Sequence, residues 1–467
     1  MLLGTIFKDN NEKVLNIFKT LISKFGIDGA IGYTLIARLL QAMGGIISLV
    51  FIVTFLTTKE QGYYYTFGSI LALQIFFELG FSGIIVQYVA HEASQLRWKS
   101  NINFDGDVKA ISRISSLLRF AIKWFAIISL ILFFVLLILG IVFFNVYDKE
   151  NGVDWKGPWT LLSLTTSLSL LVSPLWAFIE GLGRVKDISK LRFIQQVVQL
   201  VALFLFFLFG LKLYAAPLAS VCSLSIGFSW FFWSDLRPLV LTFWNKIILH
   251  RVDYIKEIFP FQWKIALSWI SGYFIFQLFN PVLFATEGPV VAGQMGMSIA
   301  VLNAILSLTL SWMTTKVPVY SDLIATKRFD ELDKLFNRTL FQSTMVNLLG
   351  IVIFLSSLSL IKAYHVTILG KYFGDRFLST FPLICMTIPI LINHIVNSLA
   401  TYLRCHKKEP MLFQSIGIGI LCAGSTVLMG KRFGVNGIAL GYCIITVISL
   451  MWTISIFLSK RKEWHDV

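Results

Sequence analysis

Two charged residues lie inside long apolar stretches, where a charge needs a physical reason. Arg38 falls about nine residues into the stretch 30–56, and Glu78 falls about twelve residues before the end of the stretch 61–90. In a helix that rises ~1.5 Å per residue, Arg38 would lie ~12 Å deep, with Glu78 at a comparable depth. A charge within a membrane costs about 2.5–3.5 kcal/mol on insertion scales. The pair is therefore either a structural ion pair, or a cationic contact for an anionic substrate with a carboxylate that tunes it or exchanges a proton.

A third cation, Lys264, opens the stretch 262–286. Superposing Glu60 on Glu287, which is 227 residues later, places Lys264 one position from the counterpart of Arg38. Each half of the chain would then carry one cation on its first helix. The alternative is a lysine whose ammonium reaches the cytoplasmic headgroups while its methylenes stay in apolar surroundings.

Uncharged polar residues inside apolar stretches form a second set of candidates for a substrate path. The set comprises Gln74, Asn280, Asn303, His394 and Asn397. Such side chains either line a polar cavity or hydrogen-bond between neighbouring helices. His394 could in addition carry a proton, although an interhelical hydrogen bond is the more common role for such a histidine.

The sequence contains no pattern that is typical of a catalytic, metal or nucleotide site. The five cysteines form no CxxC pair, and no GxxxxGK[ST] motif is present. His91-Glu92 lacks the second histidine of a zinc-protease helix. We therefore expect neither catalytic residues nor a metal or other cofactor, and we do not expect an enzyme.

Long apolar stretches dominate the rest of the chain. The sequence is 56% hydrophobic with a mean hydropathy of +0.76. Twelve stretches approach or exceed the ~20 residues that a helix needs to cross a bilayer. They lie at 30–56, 61–90, 120–146, 159–181, 190–211, 213–236, 262–286, 290–315, 339–361, 379–402, 411–430 and 435–459. We predict an all-α polytopic membrane protein with twelve transmembrane helices.

The basic residues are concentrated in alternate gaps between these stretches. Taking the N-terminus, every second gap and the C-terminus as one side, that side holds 29 of the 40 Lys and Arg residues, and the other side holds nine. Basic loops are retained in the cytoplasm, so both termini are predicted to be cytoplasmic. The net charge of +15 is then explained by loops that face anionic lipid, and nucleic acid is not an expected partner.

The order of features suggests two parallel six-helix lobes. Each half opens with a short amphipathic segment: Val14, Phe18, Leu21 and Phe25 in the first, and Ile248, Val252, Ile255 and Phe259 in the second. The i, i+4, i+7, i+11 spacing predicts a helix with one apolar face that lies in the membrane interface. The cytoplasmic loops 91–119 and 316–338 match in position, as do the external loops 147–158 and 362–378. We expect an N-terminal segment 1–29, an N-lobe 30–236, a connector 237–261, a C-lobe 262–459 and a tail 460–467. Parallel repeats typically place a substrate path between the lobes.

Several short motifs resemble the polysaccharide flippases of the Wzx type, within the multidrug/oligosaccharidyl-lipid/polysaccharide exporter superfamily. The segment Glu78-Leu-Gly-Phe-Ser-Gly-Ile-Ile-Val-Gln-Tyr-Val-Ala90 is similar to the end of their second helix, and Lys59-Glu-Gln-Gly-Tyr63 to the turn before it. Arg38, Gly183-Arg184 and Gly434-Val-Asn-Gly-Ile-Ala439 also match the family's layout. The sequence departs from it at Asn303, where the second half lacks an acid that would correspond to Glu78.

The resemblance implies a flippase that moves an undecaprenyl-diphosphate-linked oligosaccharide repeat unit to the periplasmic leaflet of a bacterial inner membrane. The repeat unit would serve surface polysaccharide synthesis, such as that of the O-antigen of lipopolysaccharide. Arg38 would contact the diphosphate or acidic sugars while the polyprenyl tail stays in the membrane lipid. H⁺ or Na⁺ is a candidate coupling ion, and the polysaccharide polymerase with its chain-length machinery is a candidate protein partner.

Two other functions are compatible with parts of the sequence. A cation-coupled multidrug-type antiporter would have the same fold, but it usually uses several intramembrane carboxylates, and Glu78 is the only deep one. A membrane polymerase or glycosyltransferase calls for a large external loop, whereas no external gap here exceeds about 17 residues.

Overall fold

The computed structural model describes residues 44–465 except 46, 101, 103, 149–151, 369 and 407. Arg38, the amphipathic segment around Phe18 and most of the stretch 30–56 lie outside these residues. The two ends of the helix bundle are called cytoplasmic and external after the predicted topology.

Helices account for almost all of the described chain. The N-terminal half contains α1 (47–55), α2 (Thr58–Leu71), α3 (Ile75–Glu78), α4 (Phe81–Ala93), α5 (Val108–Tyr147), α6 (Lys156–Gly181), α7 (Val185–Leu208) and α8 (Ala215–Trp233). The connector contains α9 (Leu236–Trp244). The C-terminal half contains α10 (Phe259–Phe276), α11 (Phe279–Glu287), α12 (Pro289–Ala325), α13 (Phe329–Ala363), α14 (Thr380–Cys405) and α15 (Leu412–His465). Two short antiparallel hairpins complete the fold: β1 (Leu96–Trp98) with β2 (Phe104–Gly106), and β3 (Thr367–Ile368) with β4 (Lys371–Tyr372).

Nine of the described helices are long and apolar enough to cross a membrane, and the pair Thr58–Glu78 and Phe81–Ala93, bent by 41°, forms a tenth candidate span. The 54-residue helix α15 would be about 80 Å long if straight, more than twice the ~30 Å of hydrocarbon. It instead folds back at Gly434, and the two arms lie side by side. This is shown by the Nε2 of Gln414, which donates to Ser449 Oγ of the other arm at 2.8 Å. Eleven of the twelve predicted stretches therefore correspond to described spans. The total of twelve and the side of the termini stay predictions.

Gly434 is required at this fold-back for two reasons. Its φ of 57° and ψ of −143° leave the helical region, and φ > 0 is unfavourable for residues with a Cβ. A Cβ at this position would also overlap the carboxylate of Glu287.

Helices pack within each half of the chain and across the two halves at the external end. In the N-lobe, α5 lies against α6 and α7 against α8; in the C-lobe, α15 lies against α10 and α14, and α12 against α13 and α14. The lobes meet where α2 packs along α12. There the Tyr63 ring meets Phe284 of the C-lobe edge-on at 4.9 Å, within a buried aromatic cluster that includes Phe144 and Trp159. Apolar and aromatic packing thus holds the external halves of the lobes together.

Two predicted cytoplasmic loops are largely helical. The segment 91–119 contains the end of α4, a hairpin and the first turns of α5, and the segment 316–338 is covered by α12 and α13 apart from the turn at 326–328. The outer turns of these helices carry charged residues, but they also bury apolar side chains within the protein, such as Ile114 of α5 and Leu332 of α13.

The predicted amphipathic helix through Ile248, Val252, Ile255 and Phe259 is wrong. Residues 248–253 are not helical, and only a π-helical turn at Tyr254–Ile258 precedes α10. Side chains of α5 bond the connector backbone instead. The amides of Leu249 and His250 each donate to Ser112 Oγ at 2.8 Å, and the amide of Val252 donates to Ser116 Oγ at 3.1 Å. Backbone amides satisfied in this way have no need of a helix.

Candidate functional site

The second span breaks immediately after Glu78. Leu79 and Gly80 both adopt left-handed conformations, with φ of 51° and 69°, and end α3 before α4 begins. A non-glycine residue in this region costs about 1–2 kcal/mol, so the surrounding packing must stabilise the break. Gly80 faces the C-lobe, where an added Cβ would lie 2.5 Å from Ile265 Cγ2. The break therefore turns one side of the span towards the other lobe and leaves Glu78 facing into the N-lobe.

Glu78 lines a cavity of about 490 Å³ inside the N-lobe, between the second span and helices α6, α7 and α8. Hydroxyl and amide groups dominate its polar lining: Ser82, Ser169, Ser173, Gln195, Gln199, Ser220 and Ser223. Trp176 contributes an indole ring. The remaining charged lining residues, Glu180 and Arg192, form an ion pair at 2.7 Å. The described wall of this cavity thus combines many neutral hydrogen-bonding groups with Glu78 and one ion pair.

Helical periodicity in otherwise apolar helices produces this polar wall. Ser169, Ser173, Trp176 and Glu180 follow i, i+4, i+7 and i+11 spacing, which places them on one face of α6. Arg192, Gln195 and Gln199 of α7 follow i, i+3 and i+7.

Interhelical hydrogen bonds fix several of these side chains. The hydroxyls of Ser82 and Ser173 lie 2.5 Å apart and join α4 to α6. Gln195 donates to the carbonyl of Ser223 at 3.1 Å, and Ser223 Oγ donates to the carbonyl of Gln195 at 3.2 Å. The polar groups are thereby held at defined positions along the cavity wall.

A second cavity of about 260 Å³ shares Gln199 and Ser220 with the first. Its other lining residues, among them Tyr64, Phe67 and Leu203, are mostly aromatic or aliphatic. The two cavities together run from the cytoplasmic half of the N-lobe, at Glu180, towards its external half.

The external end of the molecule is closed by Arg376, which follows the β3–β4 hairpin and is 4% exposed. Its guanidinium donates to the carbonyls of Leu56 at 2.7 Å and Val53 at 3.1 Å, at the end of α1 in the other lobe. It also donates to Gln61 Oε1 at 3.2 Å. A cation is favourable at a helix C-terminus, where carbonyls lack intrahelical partners.

Gln61 completes this closure from the N-lobe side. Its Nε2 donates to the carbonyls of Gly293 at 2.8 Å and Arg376 at 3.1 Å. Lys371 donates to the carbonyl of Leu56 at 3.3 Å as a second cation at the same helix end. We call Arg376, Gln61 and Lys371 the external latch.

Burial lowers the pKa of both cations of the external latch. Desolvation lowers the pKa of the Arg376 guanidinium, while the Glu60 and Asp375 carboxylates oppose that change. Desolvation also lowers the pKa of the Lys371 ammonium, with the Arg376 charge acting in the same direction. Arginine stays charged in proteins, so the latch places a buried cation between the lobes at neutral pH.

The structure places the sequence-predicted candidates in different surroundings. Arg38 lies outside the described residues, so its proposed pairing with Glu78 stays a prediction. Glu78 is half-buried in the cavity wall, and Gln74 lies half-buried one turn earlier, in the 3₁₀ turn before α3. Lys264 is exposed near the start of α10, with its ammonium 5.8 Å from the ring centroid of Trp263. Asn303 is exposed on α12.

The remaining candidates lie in hydrogen bonds between or within helices. Asn280 is buried and donates to Ser69 Oγ at 3.1 Å, which joins α11 to α2 across the lobes. His394 is fully buried, with its Nε2 3.0 Å from Ser343 Oγ of α13. Asn397 donates to the carbonyl of Asn393 in its own helix at 2.8 Å. The described structure therefore brings Glu78, but neither His394 nor Asn397, to the N-lobe cavity.

Two groups of residues were missed by the sequence reasoning. The serines and glutamines of the cavity could have been found from their helical spacing within α6 and α7. Arg376 lies in the predicted external loop 362–378, where no local signal in the sequence distinguishes it. Among the described residues, no group of three or more His, Cys, Asp or Glu side chains could hold a metal ion.

No protein-family model and no curated protein sequence matches the chain. Solved structures are similar over almost its whole length. An inward-facing multidrug resistance MATE family transporter of the MOP superfamily superposes with a TM-score of 0.67 at 13% identity, over 92% of this chain and 99% of that one. The lipid II flippase MurJ in an inward closed conformation gives 0.55 at 15% identity, over 92% and 89%. A mutant of the Vibrio cholerae MATE transporter VcmN gives 0.54 at 13% identity, over 96% and 99%. The chain thus has the fold of the MOP superfamily transporters.

Proposed function

We propose that this protein is a flippase that moves a lipid-linked oligosaccharide from the cytoplasmic to the periplasmic leaflet of a bacterial inner membrane. The observation that carries the proposal is the hydroxyl- and amide-lined cavity around Trp176 inside a membrane-spanning lobe. The cargo would be an undecaprenyl-diphosphate-linked repeat unit for surface polysaccharide synthesis, and no chemical bond would be made or broken.

The chemistry of the cavity wall suits a sugar. Serine hydroxyls and glutamine amides both donate and accept hydrogen bonds, as sugar hydroxyls do. The indole of Trp176 offers an apolar face for the C–H surface of a sugar ring. A cavity of about 490 Å³ lies within the range typical of small-ligand sites, so it would hold part of a repeat unit at a time.

The charged candidates have separate roles in this proposal. Glu78 would accept hydrogen bonds from sugar hydroxyls. If H⁺ is the coupling ion, Glu78 would alternatively bind and release that proton. Arg38, on the helix predicted for the stretch 30–56, and Lys264, near the start of α10, would contact the diphosphate. The external latch would hold the closed state in which the cargo enters from the cytoplasmic side, and lobe motion would then expose the cavity to the periplasm.

A cation-coupled antiporter of the multidrug type is the second candidate. The half-buried carboxylate of Glu78 favours it, because a carboxylate in a spanning segment can bind a cation or a proton. The neutral, hydroxyl-rich wall around Glu78 favours the sugar cargo over an apolar drug. A polysaccharide polymerase stays the least favoured function.

The test is deletion in the native host followed by complementation with the wild type and with Trp176→Ala. We expect the deletion to accumulate lipid-linked repeat units in the cytoplasmic leaflet and to lose surface polysaccharide, and Trp176→Ala to restore little of it. Trp233→Ala is the matched control, because that indole is 88% exposed at the end of α8 and outside the cavity. Unchanged surface glycan in the deletion strain, together with altered drug tolerance, would refute the flippase and support the antiporter.

A further inference from the structure

A cationic cleft lies outside the N-lobe cavity, between the cytoplasmic end of α5 and the connector. It has a volume of about 340 Å³. Three cations line it: Arg119 and Lys123 from α5, and Arg251 from the connector. Phe120 and Tyr254 form aromatic walls, and no carboxylate is among the described lining residues.

The three cations are not equivalent. Arg119 is occupied, since its Nε donates to the carbonyl of Trp244 at 2.9 Å and so anchors the connector. Lys123 and Arg251 are exposed and form no ion pair with any described residue. The nearby connector carboxylates already have partners: Asp253 pairs with Lys256 at 3.7 Å, and Glu257 pairs with Arg113. The cleft therefore carries two positive charges that the described protein does not neutralise.

The position of the cleft along α5 matches the cytoplasmic headgroup region. The apolar stretch of this helix begins at residue 120. Phe120 and Trp124 are 37% and 43% exposed there, and aromatic side chains are enriched at membrane–water interfaces. Phosphate groups of anionic lipids occupy the same depth on the cytoplasmic side and attract nearby basic residues.

We propose that this cleft binds the phosphate of an anionic phospholipid headgroup from the cytoplasmic leaflet. Lys123 holds the phosphate from α5 and Arg251 from the connector, while the acyl chains run beside the exposed aromatic side chains of α5. Because Lys123 belongs to the N-lobe and Arg251 to the connector, the bound headgroup bridges the two segments. It adds to the bonds from Ser112, Ser116 and Arg119 that hold the connector against α5. This lipid site is separate from the N-lobe cavity and serves the protein whichever cargo is transported.

The test titrates the purified full-length protein in detergent with phosphatidylglycerol and measures the dissociation constant by native mass spectrometry. We expect saturable binding by the wild type, weakened about fivefold by Lys123→Gln or Arg251→Gln and about thirtyfold by both, from ~1 kcal/mol per basic residue near an anionic surface. Lys256→Gln is the matched control, since that lysine is an exposed connector cation paired outside the cleft. The double variant Lys123→Arg, Arg251→Lys keeps both charges and should bind as the wild type does.

Two further ligands separate the sources of phosphate. Phosphatidylcholine should bind much more weakly than phosphatidylglycerol, because its choline offsets the phosphate charge. Inorganic phosphate at millimolar concentration should not displace the lipid; displacement at comparable affinity would overturn the assignment to a lipid headgroup. Equal phosphatidylglycerol binding by the wild type and by a correctly folded Lys123→Gln, Arg251→Gln protein would overturn the site itself.

Discussion

Arg376→Ala should open the external end of the molecule. The substitution removes the donations from the guanidinium to the carbonyls of Leu56 and Val53 and to Gln61 Oε1. A net ~1 kcal/mol per hydrogen bond gives about 3 kcal/mol for the three. External water can solvate the released carbonyls, which reduces the loss to about 2–3 kcal/mol. The equilibrium between closed and open external ends should therefore shift about 30- to 150-fold.

The shift is large enough to see as a population change. If the wild type favours the closed form about 100 to 1, the variant would have about a quarter to three fifths of its molecules open at the external end. Spin labels at Lys156 and Tyr364, which are exposed on opposite lobes near this end, report the separation by pulsed dipolar spectroscopy in nanodiscs. The five native cysteines are replaced beforehand. We expect one short-distance population in the wild type and an added longer one in Arg376→Ala.

Two variants make the experiment specific. Arg432→Ala removes an exposed external arginine of the same lobe and should leave the distances unchanged. Arg376→Lys keeps the charge but loses the planar fork that reaches several acceptors at once, so its open population should be intermediate. An unchanged distance distribution in Arg376→Ala, with correct folding, would refute the role of the external latch.

Two glycine substitutions test close packing around the second span. Gly62→Ala should also open the external end, because its Cβ would overlap the carbonyl of Pro289, whereas Gly68→Ala has open space and should have no effect; the same spin-label distances decide between these outcomes. Gly80→Ala combines a left-handed φ with a 2.5 Å contact to α10, so it should lower stability by about 1–2 kcal/mol, seen as a decrease in thermal midpoint in detergent. Gly83→Ala, which has open space and lies three residues further on in α4, is its control, and an equal midpoint for the two variants would contradict the packing argument.

The spans were predictable because a bilayer demands about 20 apolar residues, a constraint that local sequence satisfies by itself. The helical structure of the outer parts of α5 and α13 was not predictable in this way. Their charged residues, such as Arg113 and Asp330, interrupt the apolar pattern, and their helicity depends on tertiary packing. The prediction for the connector was wrong for the opposite reason: Ile248 and Val252 have helical spacing, but Ser112 and Ser116 bond its backbone in a non-helical conformation.

The candidate site was predictable only at Glu78. A deep carboxylate is visible in the sequence because charge is rare within a span. Ser173 and Gln195 are ordinary interhelical donors until the fold places them around one cavity. Arg376 could not be found, because its acceptor at Leu56 is 320 residues away in sequence and is a backbone carbonyl with no side-chain signature.

The second span is the element through which the cavity could influence the external latch. Gln61 at its external end belongs to the latch, and Asn280 of the C-lobe donates to Ser69 in the middle of the span. Glu78 lines the cavity about 26 Å from Gln61 along the helix axis, at ~1.5 Å per residue. A ligand shifts a conformational equilibrium only by its difference in affinity for the two states. A cargo bound at Glu78 can therefore open the latch only if the cavity changes when the external end opens. The break at Leu79 and Gly80 lies between α2, which packs against the C-lobe, and α4, which packs against α6, so it separates the contacts of the external end from the cavity wall.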